Sequence, residues 1–167
     1  ASPKTSLETL TGDFKGRKDL LMQVLEARPD VYNHNLETVE RMSRAVRPQA
    51  SYERSLQVLS WAAQEGAVTK SGMMLGISER KPEIADSLRR LHDAGVQILT
   101  LGQYLQPGKQ YLPVDRWVTP DEFAEWKSFA MELGFTSVSS APMVRSSYHA
   151  DESVKLVPGF EEVSLKQ

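Results

Sequence analysis

The strongest constraint on the fold is a repeated alternation of short apolar runs with segments of helical periodicity. The apolar runs are rich in β-branched residues, and helix-like stretches separate them. The predicted strands cover residues 5–10, 31–34, 68–75, 96–101 and 135–139. Strand–helix alternation is typical of a parallel sheet whose crossovers are right-handed. We therefore predict an α/β fold, either an open sheet or part of a barrel.

The predicted helices begin and end at residues that favour helix termini. Pro29 and Pro48 end the first two helices, and Gly66 ends a third that Ser51 caps. The sequence Thr119-Pro120-Asp121-Glu122 has the form of a capping box with Pro at the first helical position. After the last strand, residues 143–148 are predicted to be extended. The helices are predicted from these apolar faces: Leu20, Leu21, Val24 and Leu25; Val39, Met42 and Val46; Tyr52, Leu56, Leu59 and Ala63; Ile84, Leu88 and Leu91; Phe123, Trp126, Ala130 and Leu133.

Composition excludes several classes of protein. The chain has 167 residues, 40% of them hydrophobic and 25% charged, which suits one globular domain. A net charge of −2 disfavours a general nucleic-acid or anionic-membrane binder. No apolar run approaches the roughly 20 residues that cross a bilayer, and no signal-peptide pattern is present. We therefore expect no nucleic-acid or membrane partner and a cytoplasmic location.

The chain contains no cysteine. This excludes disulfides, thiolate nucleophiles and any cysteine-held zinc or iron–sulfur site built from this chain alone. His34 and His149 lie far apart in the sequence and lack acidic or cysteine partners at ligand spacing, so we do not predict a histidine metal site.

Polar segments follow or end several of the predicted strands. In parallel α/β sheets the carboxyl ends of the strands meet at one edge, where ligands bind. The segments are Asp13-Phe14-Lys15-Gly16, Asn33-His34-Asn35-Leu36-Glu37-Thr38, Lys70-Ser71-Gly72-Met73-Met74-Leu75-Gly76, Leu101-Gly102-Gln103-Tyr104-Leu105-Gln106-Pro107 and Arg145-Ser146-Ser147-Tyr148-His149-Ala150-Asp151.

In order and spacing these five segments closely resemble the lipoyl synthase family, nearly continuously from Thr11 to Asp151. The resemblance implies the C-terminal portion of a partial (β/α)6 TIM-like barrel of the radical S-adenosylmethionine (SAM) type. The chain would supply the third to sixth strands within residues 1–151, followed by a tail at residues 152–167. Three positions depart mildly from the family pattern: Thr11-Gly12 before Asp13, Ile77-Ser78-Glu79 in place of the more common Leu-Gly-Glu, and Ala141 where Gly is usual.

The resemblance also implies cofactors that this chain cannot hold by itself. Members of the family use SAM and two 4Fe-4S clusters, which are bound by C-x-x-x-C-x-x-C and C-x-x-x-x-C-x-x-x-x-x-C motifs. Neither motif occurs here. We therefore expect the isolated chain to be inactive and to bind no cluster stably.

Individual residues acquire roles through the resemblance. Asn35 and Glu37 would bind the ribose hydroxyls of SAM, and Lys70 and Ser71 its methionine carboxylate. Gln103, Tyr104 and Gln106 would lie near the adenine and the substrate passage. Ser147 would be the fourth ligand of the auxiliary cluster, with Ser146 as the alternative register, and Arg145 would orient that site or offset its charge.

Simpler structural roles are open for the same residues. Asn35 could cap a helix that begins near Leu36, with Glu37 in the first turn. Lys70 could extend to solvent, and Tyr104 could merely cover the mouth of the barrel. Gly72 and Gly76 permit close approach of a ligand but also suit strand ends or bulges.

The implied reaction inserts two sulfur atoms into an octanoyl group carried by a lipoyl carrier protein, either a glycine-cleavage H protein or a 2-oxoacid dehydrogenase E2 lipoyl domain. A 5′-deoxyadenosyl radical would remove each hydrogen. Two other functions stay open: a truncated, non-catalytic protein that binds a lipoyl-domain partner, or one half of a split enzyme whose missing partner is the N-terminal half of the barrel. In a eukaryote the location would be mitochondrial or plastid.

Overall fold

The structure, a computed structural model, describes residues 5–147 and contains a five-stranded parallel sheet. The strands follow one another across the sheet in chain order, so each crossover joins adjacent strands. This confirms the predicted α/β class. The elements are β1 (Glu8–Leu10), α1 (Lys18–Glu26), β2 (Val31–Asn33), α2 (Glu40–Val46), α3 (Tyr52–Gln64), β3 (Thr69–Leu75), α4 (Lys81–Asp93), β4 (Ile98–Gln103), α5 (Pro120–Leu133) and β5 (Ser137–Ser140).

All five helices contribute side chains to one apolar core. Successive strand residues point to opposite faces of the sheet, so Met73 and Leu75 of β3 enter this core while Lys70 and Gly72 face the other side. The helix side of the core includes Leu21, Met42, Leu59, Leu88 and Phe123. The opposite face carries a small cluster of Val31, Ile98 and Val68 together with polar side chains.

The helices and strands predicted from the sequence are confirmed, with small differences at their ends. The family resemblance implied four strands, and this count was wrong because five are present. Ser51 precedes α3 as predicted, but its side chain makes no capping hydrogen bond. Thr119 does cap α5, since its hydroxyl accepts from the Glu122 backbone N–H at 3.2 Å.

The chain ends differ more from expectation. For the described residues 143–147, the predicted extended conformation was wrong, because residues 146 and 147 form a turn. Residues 148–167, which include the expected tail and the boundary at Asp151, lie outside the described residues. No helix between residues 5 and 147 is long and apolar enough to cross a membrane.

Candidate functional site

A cavity of about 190 Å³ opens beside the carboxyl ends of β3 and β4. Ligand pockets usually enclose roughly 300–1,000 Å³, so this cavity has room for only part of a nucleoside-sized ligand. It is lined by Asn35, Glu37, Gly72, Met73, Met74, Thr100, Gly102, Gln103, Leu105, Val144, Arg145 and Ser146. The structure thus brings together five of the residues predicted for the site: Asn35, Glu37, Gln103, Arg145 and Ser146.

Gly72 allows the floor of the cavity to form. A Cβ atom at this position would lie 2.7 Å from Thr100 Oγ1 and 2.9 Å from Asn35 Oδ1, closer than such atoms approach one another. The Asn35 amide therefore lies directly against strand β3. Its Oδ1 atom is buried and has no hydrogen-bond partner among residues 5–147. A buried acceptor without a partner is costly, and a ligand donor would satisfy it.

Glu37 is held beside Asn35 by an isolated parallel bridge to β3. Its N–H donates to Gly72 O at 2.9 Å, and its carbonyl accepts from Met74 N–H at 2.8 Å. The backbone φ of Glu37 is +70°, a left-handed value that is rare for a residue with a side chain. Burial raises the pKa of the Glu37 carboxyl, while a hydrogen bond from Asn35 and the charge of Arg47 lower it.

These observations exclude the simpler reading of Asn35 and Glu37 as helix-terminal residues. Helix α2 begins only at Glu40, with Val39 preceding it. Asn35 therefore does not cap the helix, and Glu37 does not lie in its first turn.

Gly102 allows the segment after β5 to approach the cavity. A Cβ on Gly102 would lie 2.3 Å from the Val144 carbonyl oxygen, so the chain crosses strand β4 at this point. Arg145 comes next and is exposed at the cavity rim. Its guanidinium donates to its neighbour's carbonyl, Val144 O, at 2.6 Å.

The structure does not bring Lys70 or Ser71 to this cavity. Lys70 Nζ is 2.9 Å from Glu8 Oε2, and the Lys70 side chain is only 1% exposed, so it does not extend to solvent either. Ser71 faces the helices, where its Oγ accepts from Leu36 N–H at 3.2 Å. Both side chains have partners elsewhere, and their contacts with the methionine carboxylate stay a prediction.

Gln103, Tyr104 and Gln106 organise the long loop between β4 and α5. The Gln103 side chain donates to the carbonyls of Tyr104 and Arg116 at 3.1 and 3.2 Å, and accepts from Val118 N–H at 2.9 Å. Tyr104 is 5% exposed and its hydroxyl donates to a loop carbonyl. Gln106 is exposed, and its side-chain amide donates to a second loop carbonyl, Tyr111 O. Only Gln103 of the three lines the cavity.

The two serines of the last described turn differ in position. Ser146 is half-buried and lines the cavity, whereas Ser147 is exposed and does not line it. Within residues 5–147 no three His, Cys, Asp or Glu side chains are grouped as a metal site requires. Together with the lack of cysteine, this donor set does not fit a complete 4Fe-4S cluster.

Thr100 and Gly102 are among the lining residues for which the sequence predicted no role in the site. Thr100 was taken only as part of a buried strand, and Gly102 as part of a motif without a role of its own. Glycine directly after a buried apolar run was a usable signal for close chain approach. Thr100 gave no such signal, since threonine is common in strands.

The chain is similar in sequence to known proteins. No protein-family model matches it. It is 51% identical to the lipoyl synthase of Rubrobacter xylanophilus over 92% of its own length. It is 54% identical to that of Corynebacterium diphtheriae over 89%, and 50% identical to that of Methylococcus capsulatus over 93%. The chain is a homologue of the lipoyl synthases.

The chain spans about half the length of these lipoyl synthases, with 48%, 43% and 49% of the three relatives covered. Each of these three lipoyl synthases has at least as much sequence outside the matched region as within it. Among solved structures, the HMG-CoA lyase of Brucella melitensis is 13% identical, with a TM-score of 0.49 over 89% of this chain and 51% of that one. That likeness is too weak to support any argument about this chain.

Proposed function

We propose that this chain is part of a lipoyl synthase that inserts two sulfur atoms into a protein-bound octanoyl group. The single observation that carries the proposal is the buried, unpartnered Asn35 Oδ1 beside the Glu37 carboxyl, above Gly72. It occurs in a chain about 50% identical to named lipoyl synthases. The rest of the (β/α)6 barrel would correspond to the part of the relatives that the match does not cover.

Asn35 and Glu37 fit one end of a SAM molecule. Both offer oxygen acceptors, which suit the two hydroxyl donors of a ribose. Arg145, at the rim, brings a positive charge to the same cavity. SAM, when bound, would supply the radical that removes hydrogen from the octanoyl chain. The chain's own residues would bind and orient it and keep water from that end of the cavity.

Ser147 is proposed as the serine ligand of the auxiliary cluster in the complete enzyme, with Ser146 as the alternative. A serine oxygen matches iron less well than thiolate does, so it would be the most readily replaced ligand. Its exposed position leaves it accessible to a cluster held by cysteines from elsewhere. The isolated chain is proposed to be inactive because it has no cysteine.

The proposed partners follow from the same homology. They are the missing N-terminal half of the barrel and an octanoylated carrier, either a glycine-cleavage H protein or an E2 lipoyl domain. A cytoplasmic location, or a mitochondrial or plastid one in a eukaryote, stays a prediction. The second candidate function is a non-catalytic protein that binds a lipoyl domain.

Anaerobic reconstitution with iron and sulfide tests the proposal. The chain would be reconstituted alone and beside the N-terminal half of a lipoyl synthase, and visible and electron paramagnetic resonance spectra recorded. We expect cluster signals only in the mixture, and expect Ser147→Ala to weaken them more than Ser146→Ala. An absence of signal in both samples would favour the non-catalytic function.

A further inference from the structure

The guanidinium of Arg47 donates hydrogen bonds to the backbone of the loop that carries Asn35. Arg47 Nη1 donates to Asn35 O at 2.7 Å and lies 3.4 Å from Leu36 O. The same nitrogen is 3.4 Å from Ser55 Oγ on α3. One charged group therefore bridges two consecutive carbonyls, and hydrogen bonds from a charged donor are stronger than neutral ones.

Local sequence places Arg47 where it can make these bonds. Pro48 disfavours helical backbone at the residue before it, and Arg47 is the cap of α2, with φ −135° and ψ 76°. Its N–H still donates to Ser43 O at 2.7 Å. The helix thus ends at this residue, and the side chain turns back towards the loop from which the helix started.

His34 and Ser55 connect Arg47 to the end of β1. His34 Nδ1 is 2.9 Å from Thr11 O, a carbonyl that can only accept, so Nδ1 carries the proton. Nε2 then accepts from the Ser55 hydroxyl at 2.9 Å, which leaves Ser55 Oγ free to accept from Arg47. Burial lowers the pKa of His34, consistent with this neutral tautomer. The four residues form a continuous series of hydrogen bonds.

Glu37 shows why the loop needs such support. A left-handed backbone is unfavourable for an ordinary residue and persists only where surrounding contacts hold it. On the β3 side, Ser71, Gly72 and Met74 supply these contacts. On the helix side they come from Arg47 alone among the hydrogen bonds found within residues 5–147.

We infer that Arg47 is a positioning residue that fixes the backbone of Asn35 and Leu36, and so keeps the Asn35 amide and the strained Glu37 in the cavity. The part of this inference that concerns a ligand rests on the proposed function. The part that concerns the loop does not, because the contacts belong to this chain.

Amide hydrogen exchange of the chain, followed by mass spectrometry on peptides that contain residues 35–38, tests the loop directly. Arg47→Met keeps the apolar stem but removes the donors, and we expect exchange there to quicken about tenfold. Arg44→Met is the matched control, since Arg44 is an exposed residue of the same helix and should leave exchange unchanged. Unchanged exchange in Arg47→Met would overturn the inference.

Two further variants separate positioning from general loss of stability. Leu88→Ala removes a fully buried side chain of α4 and should lower the melting temperature without a selective change at residues 35–38. Arg47→Lys keeps one charged donor that can reach a single carbonyl, so its exchange should be intermediate. If Leu88→Ala quickens exchange at these residues as much as Arg47→Met, the inference fails.

Binding of S-adenosylhomocysteine, measured by calorimetry on the same variants mixed with the N-terminal half of a lipoyl synthase, adds a readout of the site. We expect Arg47→Met to weaken binding about tenfold and Leu88→Ala to leave it unchanged. Equal affinity in wild type and Arg47→Met would contradict the inference. Failure of the wild type to bind would count against the proposed function, while the exchange result would still decide the role of Arg47.

Discussion

The Glu37 carboxyl should make the stability of this chain fall as pH rises. Burial raises its pKa, so the folded state binds the proton more tightly than the unfolded chain, whose value lies near 4.5. Stability is therefore greatest below that value and declines until the pH passes the raised folded pKa. Above that pH the loss of folding stability stays constant.

Glu37→Gln removes this titration and should stabilise the chain at neutral pH. The neutral amide has no charge to desolvate, and it keeps the size of the side chain. Urea unfolding at several pH values would measure the difference from wild type. We expect the advantage of Glu37→Gln to shrink as the pH is lowered towards about 4, and a constant advantage would refute this account.

Glu8 and Lys70 form a partly buried ion pair whose contributions to folding stability should be strongly coupled. Lys70 is 1% exposed and Glu8 22% exposed, and Asn33 also donates to Glu8 at 2.6 Å. Glu8→Gln leaves a buried ammonium without its counter-ion, which should cost about 3–5 kcal/mol. The double variant with Lys70→Met should recover most of that loss. Denaturant unfolding of the wild type, Glu8→Gln, Lys70→Met and the double variant gives the coupling energy. Additive effects of the two single changes would mean that the pair is not coupled.

Replacing Ser78 with glycine should increase the folding stability of the chain. Its φ is +72°, a left-handed value that glycine adopts more readily than a residue with a side chain. The left-handed conformation costs an ordinary residue about 1–2 kcal/mol, and glycine loses roughly 0.5–1 kcal/mol more chain entropy on folding. Ser78→Gly should therefore stabilise by about 0.5–1 kcal/mol in urea unfolding. The control is Ser128→Gly on the exposed side of α5, which should destabilise by about 0.5 kcal/mol; stabilisation by both changes would contradict the argument.

Among the elements, the loop between β4 and α5 receives more side-chain hydrogen bonds from Gln103 than from Tyr104 or Gln106. Gln103→Leu would remove three hydrogen bonds to the backbone of this loop and leave buried groups unpaired. We expect a loss of about 1–3 kcal/mol and faster proteolysis within residues 104–119. Gln106→Ala removes one exposed bond and should change stability by less than about 0.5 kcal/mol. Equal proteolysis of the two variants would argue against Gln103 as the anchor.

The order of helices and strands could be predicted because local signals agreed with one another. Pro48 and Gly66 mark helix ends in the sequence, and the buried runs around β3 and β4 have apolar residues on both faces. The short 3₁₀ turn at Phe14–Gly16 was not predicted, because it depends on Lys15 at φ +53° and on Asp13 accepting from its N–H. Neither has a strong sequence pattern.

The candidate site was predicted less completely than the elements. Residues at strand ends were expected to converge, and Asn35, Glu37 and Arg145 do line one cavity. The direction of each side chain was harder to predict: Ser71 lies one residue from Gly72 but on the opposite face of the sheet. The partner of Lys70 comes from β1, more than sixty residues earlier, and only the folded structure brings the two together.

At the scale of the whole molecule, β1 forms one edge of the described sheet. It pairs with β2 on one side only, and Leu7 and Leu10 beside that edge are 51% and 56% exposed. An unpaired parallel edge with apolar neighbours is a template for association with another chain. We therefore expect the isolated chain to associate at micromolar concentrations.

A charge beside this edge should reduce that association, because charged residues block edge-to-edge pairing in natural sheets. Leu7→Lys is the variant, and Met131→Lys is its control, since Met131 is 47% exposed on α5 and adds the same charge away from the edge. Light scattering coupled to size exclusion would follow the mass against concentration. We expect Leu7→Lys to shift the chain towards monomer and Met131→Lys to have little effect. A wild-type chain that is monodisperse and melts cooperatively would show that the β1 edge needs no further strand, and would count against the incomplete barrel.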